Sequence, residues 1–224
     1  NVMNFTLAGS FVSGFLTESN WNNMGIAVNQ LAGASKRVYY WQNIARTITE
    51  VEENGTLLGS TSLPFGYQSV IRAIGFDPAE GRIIAPHGAV ESESIEAGFS
   101  HIEPGVGIES TELFDFDAQL RMSLFLGFEL SADSYWVLGP TASVDEIVQI
   151  DRATLTVVDN FVLPGSSGQT YRGLARDPDT GIFYTNFNDE EIRALTLPEP
   201  GAAAGVLALA TLSVRARRRG LLRG

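Results

Sequence analysis

The chain has 224 residues, 44% of them hydrophobic, with 26 acidic against 15 basic residues and a formal charge of −11. That length and apolar content suffice for a buried core, and the absence of cysteine excludes disulfides and thiolate metal sites. The charge is uneven: residues 201–224 hold five arginines and no acid, leaving ten bases against 26 acids in residues 1–200, a body of charge −16 that repels phosphate backbones, so no nucleic-acid partner is expected.

In chain order, residues 1–20 lack the basic start and continuous apolar stretch of a secretory signal, so either a signal was removed upstream or the chain is a fragment. Thr6-Leu7-Ala8-Gly9-Ser10 closely resembles the later Thr56-Leu57-Leu58-Gly59-Ser60. Four segments then open on a small residue followed by an apolar one: Gly25-Ile26-Ala27-Val28, Ala73-Ile74-Gly75-Phe76, Gly127-Phe128-Glu129-Leu130 and Gly173-Leu174-Ala175-Arg176. Each leads through a turn into an aromatic or β-branched run, at 38–41, 83–85, 135–137 and 182–184, which reads as a second strand. Third strands are expected at 48–51, 113–116, 147–150 and 192–195. A fourth is expected in the first three repeats only.

A period near 50 with four strands per unit predicts an all-β fold, a β-propeller of about four blades or part of a larger ring, with a β-sandwich as the structural alternative. The segment at 6–10 is expected to complete the last blade and remove a free sheet edge. The repeats also loosely resemble bacterial propeller units in which a Gly-Leu-Ala strand, an Asp-Pro turn and an aromatic strand recur.

Asp77-Pro78-Ala79-Glu80-Gly81 and Asp177-Pro178-Asp179-Thr180-Gly181 carry carboxylates suited to calcium, but the spacing of Asp, Pro and Gly is also what a tight hairpin requires, and the turn is the preferred reading. The second repeat holds an apparent insertion between Ile84 and Leu113, read as a solvated acidic loop. It contains His87 and His101, the only histidines, with Glu91, Glu93, Glu96 and Glu103; His87, His101 and Glu103 are the candidate ligands for a divalent metal, although no ligand spacing is recognisable. There is no Gly-x-Ser-x-Gly elbow and no phosphate-binding glycine loop, so no catalytic residue is assigned and no cofactor is expected beyond that metal. Tyr39, Tyr40, Trp41, Tyr135 and Trp136 are aromatics able to stack on sugars, though their strand positions favour packing between blades.

After Leu197 the chain changes character. Pro198-Glu199-Pro200 withdraws two backbone donors, so the folded domain is expected to span 1–197 and a separate tail 198–224. The uncharged run 201–214 would reach roughly 21 Å as a helix, at about 1.5 Å per residue. That is short for a bilayer core of about 30 Å and predicts a short transmembrane helix serving as a temporary anchor. Arg215, Arg217, Arg218 and Arg219 follow as a stop cluster that stays cytoplasmic and leaves the body on the opposite side.

This order of Pro-Glu-Pro, short apolar helix and terminal arginines resembles the PEP-CTERM sorting signal of Gram-negative and related bacteria, over residues 198–224 only. The resemblance implies that an exosortase, a membrane protease, is a partner that cuts near Pro198-Glu199-Pro200, and that the body goes to the cell envelope or outside the cell, in a family often linked with extracellular polysaccharide. The expected function is therefore an exported, surface-targeted binding or structural protein, with a secreted metal-dependent propeller hydrolase or lactonase as the alternative.

Overall fold

The computed structural model describes residues 2–5, 11–15, 23–29, 36–122, 124–141, 144–166, 170–177, 179–188, 191–197 and 214–215. They form a β-propeller of four antiparallel four-stranded blades plus one hairpin. The hairpin pairs β1 (Val2–Phe5) with β2 (Phe11–Phe15). Blade 1 runs β3 (Asn23–Asn29), β4 (Arg37–Gln42), β5 (Thr47–Glu52), β6 (Leu57–Ser62), and blade 2 runs β7 (Gly75–Asp77), β8 (Arg82–His87), β9 (Gly98–Glu103), β10 (Gly107–Leu113). Blade 3 is β11 (Gly127–Leu130), β12 (Ser134–Thr141), β13 (Val144–Asp151), β14 (Val157–Val162). Blade 4 is β15 (Tyr171–Arg176), β16 (Phe183–Phe187), β17 (Glu191–Leu195), β18 (Val214–Arg215). Two short helices, α1 (Tyr67–Val70) and α2 (Phe116–Leu120), sit in the connections around blade 2.

The strands form where β-branched and aromatic residues accumulate, as in Arg-Val-Tyr-Tyr-Trp-Gln of β4. Because side chains alternate, each central strand feeds both neighbouring blades. Tyr39, Trp41 and Ile48 of blade 1 pack with Ile83, Ala85 and Ile102 of blade 2. Ile84 and Phe99 of blade 2 pack with Phe128, Tyr135, Val137 and Ile150 of blade 3, and Trp136, Leu138 and Phe161 of blade 3 pack with Tyr171, Phe183 and Leu195 of blade 4. Each such aliphatic or aromatic side chain, once fully buried, contributes roughly 1.5–3 kcal/mol relative to leaving it in water. A smaller cluster of Val38, Tyr40 and Val51 lies on blade 1.

The glycines of the innermost strands have a shared reason. A Cβ at Gly25 would come within 2.9 Å of the Ile74 backbone, one at Gly75 within 2.1 Å of Leu130, and one at Gly127 within 2.7 Å of the Leu174 backbone. The innermost strands of blades 1, 2 and 3 approach the next blade too closely at these positions for any side chain. The position equivalent to Gly25 in blade 2 is thus Gly75, two residues beyond the predicted repeat start at Ala73.

Two expectations are corrected. The third strand of blade 2 is β9, with β10 as its fourth, whereas Leu113 only ends β10 and Phe114 and Phe116 turn inward to the core. The "insertion" is therefore mostly blade, and only 88–97, with a 3₁₀ turn at Glu91–Glu93, connects β8 to β9. Second, β1 and β2 pair with each other, and it is Val214–Arg215 that lies beside β17, through Glu191 and Ile192. The helix expected over 201–214 lies, apart from Val214, outside the described residues; Val214 and Arg215 are extended, and among the described residues no helix is long and apolar enough to cross a membrane. Residues 6–10 and 201–213 lie outside the described residues.

Candidate functional site

The Asp-initiated segments are turns. Asp77 Oδ1 accepts hydrogen bonds from the backbone N–H of Ala79 (2.9 Å) and Glu80 (3.4 Å), and Gly81 closes the turn at φ +70°. Asp177 does the same with Asp179 (2.9 Å) and Thr180 (3.4 Å), with Gly181 at φ +71°. In blade 2, however, the second carboxylate oxygen is also used: the guanidinium of Arg152, from the β13–β14 turn of blade 3, donates to Asp77 Oδ2.

That ion pair belongs to a wider polar seam between blades 2 and 3. His101, on β9, lies between two carboxylates, with Nδ1 3.4 Å from Glu80 Oε2 and Nε2 3.4 Å from Glu112 Oε1. Tyr135 Oη donates to Glu112 Oε2 at 2.9 Å, and the Arg152 guanidinium lies 5.1 Å from the centre of the Tyr135 ring. Arg82 bridges Glu109 (2.9 Å) and Glu80 (3.6 Å) at the outer side. Burial alone would raise the Asp77 carboxyl, but Arg152 and the turn N–H groups outweigh it and hold it below the usual carboxylate range. Burial, then the Glu112 carboxylate, pushes the Tyr135 phenol up. The arrangement is a clasp that joins two blades by charge and hydrogen bonds, with Glu80 and Glu112 partly open to solvent.

Arg152→Lys keeps a positive charge beside Asp77 but loses the planar fork and the stacking on Tyr135. It is expected to lower stability by about 1 kcal/mol in a denaturant titration. A change within experimental error would show that the point charge alone holds the seam.

His87 is elsewhere. It ends β8 with no exposed surface, its ring edge-on to Tyr67 at 5.1 Å, and it belongs to the interface with blade 1. Nδ1 lies 3.2 Å from the Gly88 carbonyl, which can only accept, so Nδ1 carries the proton and Nε2 accepts from Ser100 Oγ at 2.8 Å. Ser100 in turn reaches Thr111 Oγ1 at 3.0 Å. A hydroxyl beside an imidazole is the geometry of an activated nucleophile, but Ser100 is fully buried inside the interface and out of reach of substrate.

The metal candidates are therefore not brought together. His87 shares the face of Ser100, His101 is the next residue along the strand and points to the opposite face, and Glu103 is exposed at the end of β9. Among the described residues no group of three His, Asp or Glu side chains is placed to hold a metal ion. Both histidines are buried in blade interfaces, which corrects their reading as part of a solvated loop. The proposed sugar-stacking aromatics are also interior: Trp41 has no exposed surface and donates Nε1–H to the Ile71 carbonyl at 3.1 Å, and Trp136 packs on Phe183 with ring centres 4.8 Å apart. Pro198, Glu199, Pro200, Arg217, Arg218 and Arg219 lie outside the described residues, and Arg215 is described only as a strand residue of β18.

Sequence reasoning missed Glu80, Glu112, Tyr135 and Arg152 as partners. Arg152 and Asp77 are 75 positions apart, and nothing local to either announces the other.

No protein-family model matches the sequence, and no curated protein matches it. Among solved structures the chain is similar to a protein of unknown function from Bacteroides caccae, at 11% identity over 93% of this chain and 66% of that one, with a TM-score of 0.47. It is also similar to the Myceliophteria thermophila Cps50 (Swd1) beta-propeller domain, at 11% identity over 90% of this chain and 62% of that one (TM-score 0.48), and to the Dos1 propeller, at 9% identity over 95% and 64% (TM-score 0.46). The chain spans less than two thirds of the length of each of these structures. Its four-blade architecture rests on its own strand order and on the repeated packing of one blade against the next.

Proposed function

We propose that the chain is an exported, surface-targeted binding or structural propeller whose C-terminal segment is read by an exosortase-like membrane protease. The observation that carries this reading is the order Pro198-Glu199-Pro200, an uncharged run over 201–214, and Arg215, Arg217, Arg218 and Arg219. A body free of cysteine and strongly acidic is compatible with life outside the cytoplasm. A binding or structural role, rather than metal-dependent hydrolysis, is supported by where the titratable side chains go. His87, His101, Asp77 and Glu112 are spent on joining blades. Association with extracellular polysaccharide, which the tail resemblance implies, would have to use exposed side chains, since Trp41 and Trp136 are interior.

The test is intact mass and membrane fractionation in a host that carries an exosortase, comparing the wild-type chain with Arg217→Ala/Arg218→Ala/Arg219→Ala. The expected result is loss of the mass beyond the Pro198 region in the wild type and retention of the full mass, in the membrane fraction, in the variant. An uncut wild-type chain that stays in the soluble cell fraction would overturn the proposal.

A further inference from the structure

Blade 4 borrows its outermost strand. In blades 1, 2 and 3 the third strand is covered along its outer edge by the strand that follows it directly, Leu57–Ser62, Gly107–Leu113 and Val157–Val162. In blade 4 the outer edge of β17 carries, among the described residues, only Val214–Arg215 from the C-terminal tail. The register sets Arg215 opposite Glu191 and Val214 opposite Ile192: a base faces an acid and two aliphatic residues face each other, both favourable cross-strand pairs. Arg193, Ala194 and Leu195 have no strand partner on that edge among the described residues. A third strand left uncovered presents backbone donors and acceptors to any extended segment within reach.

We infer that the outer edge of β17 is an acceptor for an extended strand and that the tail is its occupant, latched there until it enters the membrane. The inference rests on the sorting role proposed above and adds its regulation. Two uses of the same residues exclude each other. Val214 ends the apolar run and Arg215 opens the arginine cluster, so in an inserted tail both lie across a bilayer core of about 30 Å from the body. They pair with blade 4 or reach the far side, never both. Five arginines and no acid in residues 201–224, against a strongly acidic body, draw the tail to the blade in solution. A pairing two residues long is weak enough to open once the apolar run meets a bilayer. Release therefore presents the tail to the protease and, in the same step, frees a sheet edge on the exported body.

The chain has no cysteine, so one introduced pair reports one contact. Residues directly opposite on antiparallel strands lie about 4.5–5.5 Å apart at Cα, within disulfide range. In the full chain diluted out of detergent, Ile192→Cys/Val214→Cys is expected to oxidise within one chain. It should do so roughly tenfold faster than Thr196→Cys/Val214→Cys, since position 196 lies about 13 Å further along the strand. Ile192 and Thr196 are exposed, so neither substitution disturbs the core. On the Ile192→Cys/Val214→Cys background, Glu191→Arg sets like charges opposite each other and should slow the bond severalfold; adding Arg215→Glu should restore it. Both of those variants lose the contact of Glu191 with Arg193, so the rescue reports the facing pair alone. Vesicles of phosphatidylethanolamine and phosphatidylglycerol supply the competing arm. The reduced Ile192→Cys/Val214→Cys chain should float with them and resist carbonate extraction, whereas the oxidised chain should not until a reductant is added. A bond no faster than the Thr196 control, a bond formed only between two chains, or equal flotation of oxidised and reduced chains would each overturn the latch. None of these readouts needs the protease, so an uncut chain in the host overturns the sorting reading and leaves them as they stand.

Discussion

Phe99→Ala is expected to lower the unfolding free energy by about 3–5 kcal/mol, the usual range for deleting a fully buried phenylalanine. Phe99 sits on β9 with no exposed surface, and its ring centre lies 4.2 Å from Tyr135, 5.2 Å from Phe116, 5.8 Å from Phe114 and 5.9 Å from Phe128. Those partners come from blade 3 and from the connection between blades, so truncation opens a cavity where two blades and their linker meet. The surrounding rings are rigid and close-packed, which limits how far the site can collapse to refill the space. In a chain of this size the expected fall in melting temperature is roughly 6–20 °C, at about 2–4 °C per kcal/mol. Leu113→Ala, more than half exposed one strand away, should move the midpoint by no more than about 0.5 kcal/mol. A Phe99→Ala loss below about 1 kcal/mol would mean that blades 2 and 3 do not share this core.

The second large effect is a loss of stability in acid through His87. Burial is the first cause that depresses its imidazole, to about 4, and the Gly88 carbonyl only partly opposes it. The folded value therefore lies below the ordinary value near 6.5. The stability that comes from keeping the ring neutral is present above about pH 6.5 and is lost as pH falls towards 4. The interval is worth about 3 kcal/mol, at 1.36 kcal/mol per pH unit. Glu129 works in the opposite sense: burial raises its carboxyl, so its contribution is present at low pH and is lost as pH rises through its folded value. Comparing the wild type with His87→Gln separates the two. Glutamine can still accept from Ser100 but does not titrate, so its urea midpoint should fall less between pH 7 and pH 4.5 than that of the wild type. Equal falls would place the acid sensitivity in the carboxylates instead.

Blades 1 and 3 are legible in the amino-acid sequence because their signals are local. Val38 to Trp41 and Tyr135 to Val137 are continuous apolar runs bounded by turn residues, and strands buried on both faces look like that. Blade 2 is not legible in this way. Its third strand, Gly-Phe-Ser-His-Ile-Glu, is buried almost throughout, yet Ser100 and His101 give it the look of a solvated loop. Those polar groups sit inside beside partners from other strands of the same blade: Ser100 hydrogen-bonds His87 and Thr111, and the Glu80 and Glu112 carboxylates lie 3.4 Å from the His101 ring nitrogens. Likewise, the likeness of 6–10 to 56–60 suggests closure by the N-terminal segment, but likeness between segments says nothing about which free edge a strand reaches first. The adjoining β1 and β2 pair with each other.

The amino-acid sequence by itself determined the class of fold, the approximate number of blades and the turns opened by Asp77 and Asp177, because alternation, spacing and hairpin chemistry act over a few residues. It also carries the whole case for the sorting tail. Only the tertiary structure decided what the polar and aromatic residues do: that His87 and His101 serve opposite faces of one blade, that Arg152 clasps an aspartate from another blade, and that Trp41 and Trp136 are core. The reason is physical. A side chain's chemistry is set by burial and by partners tens of residues away, and a one-residue step along a strand sends two neighbouring histidines or carboxylates into different interfaces.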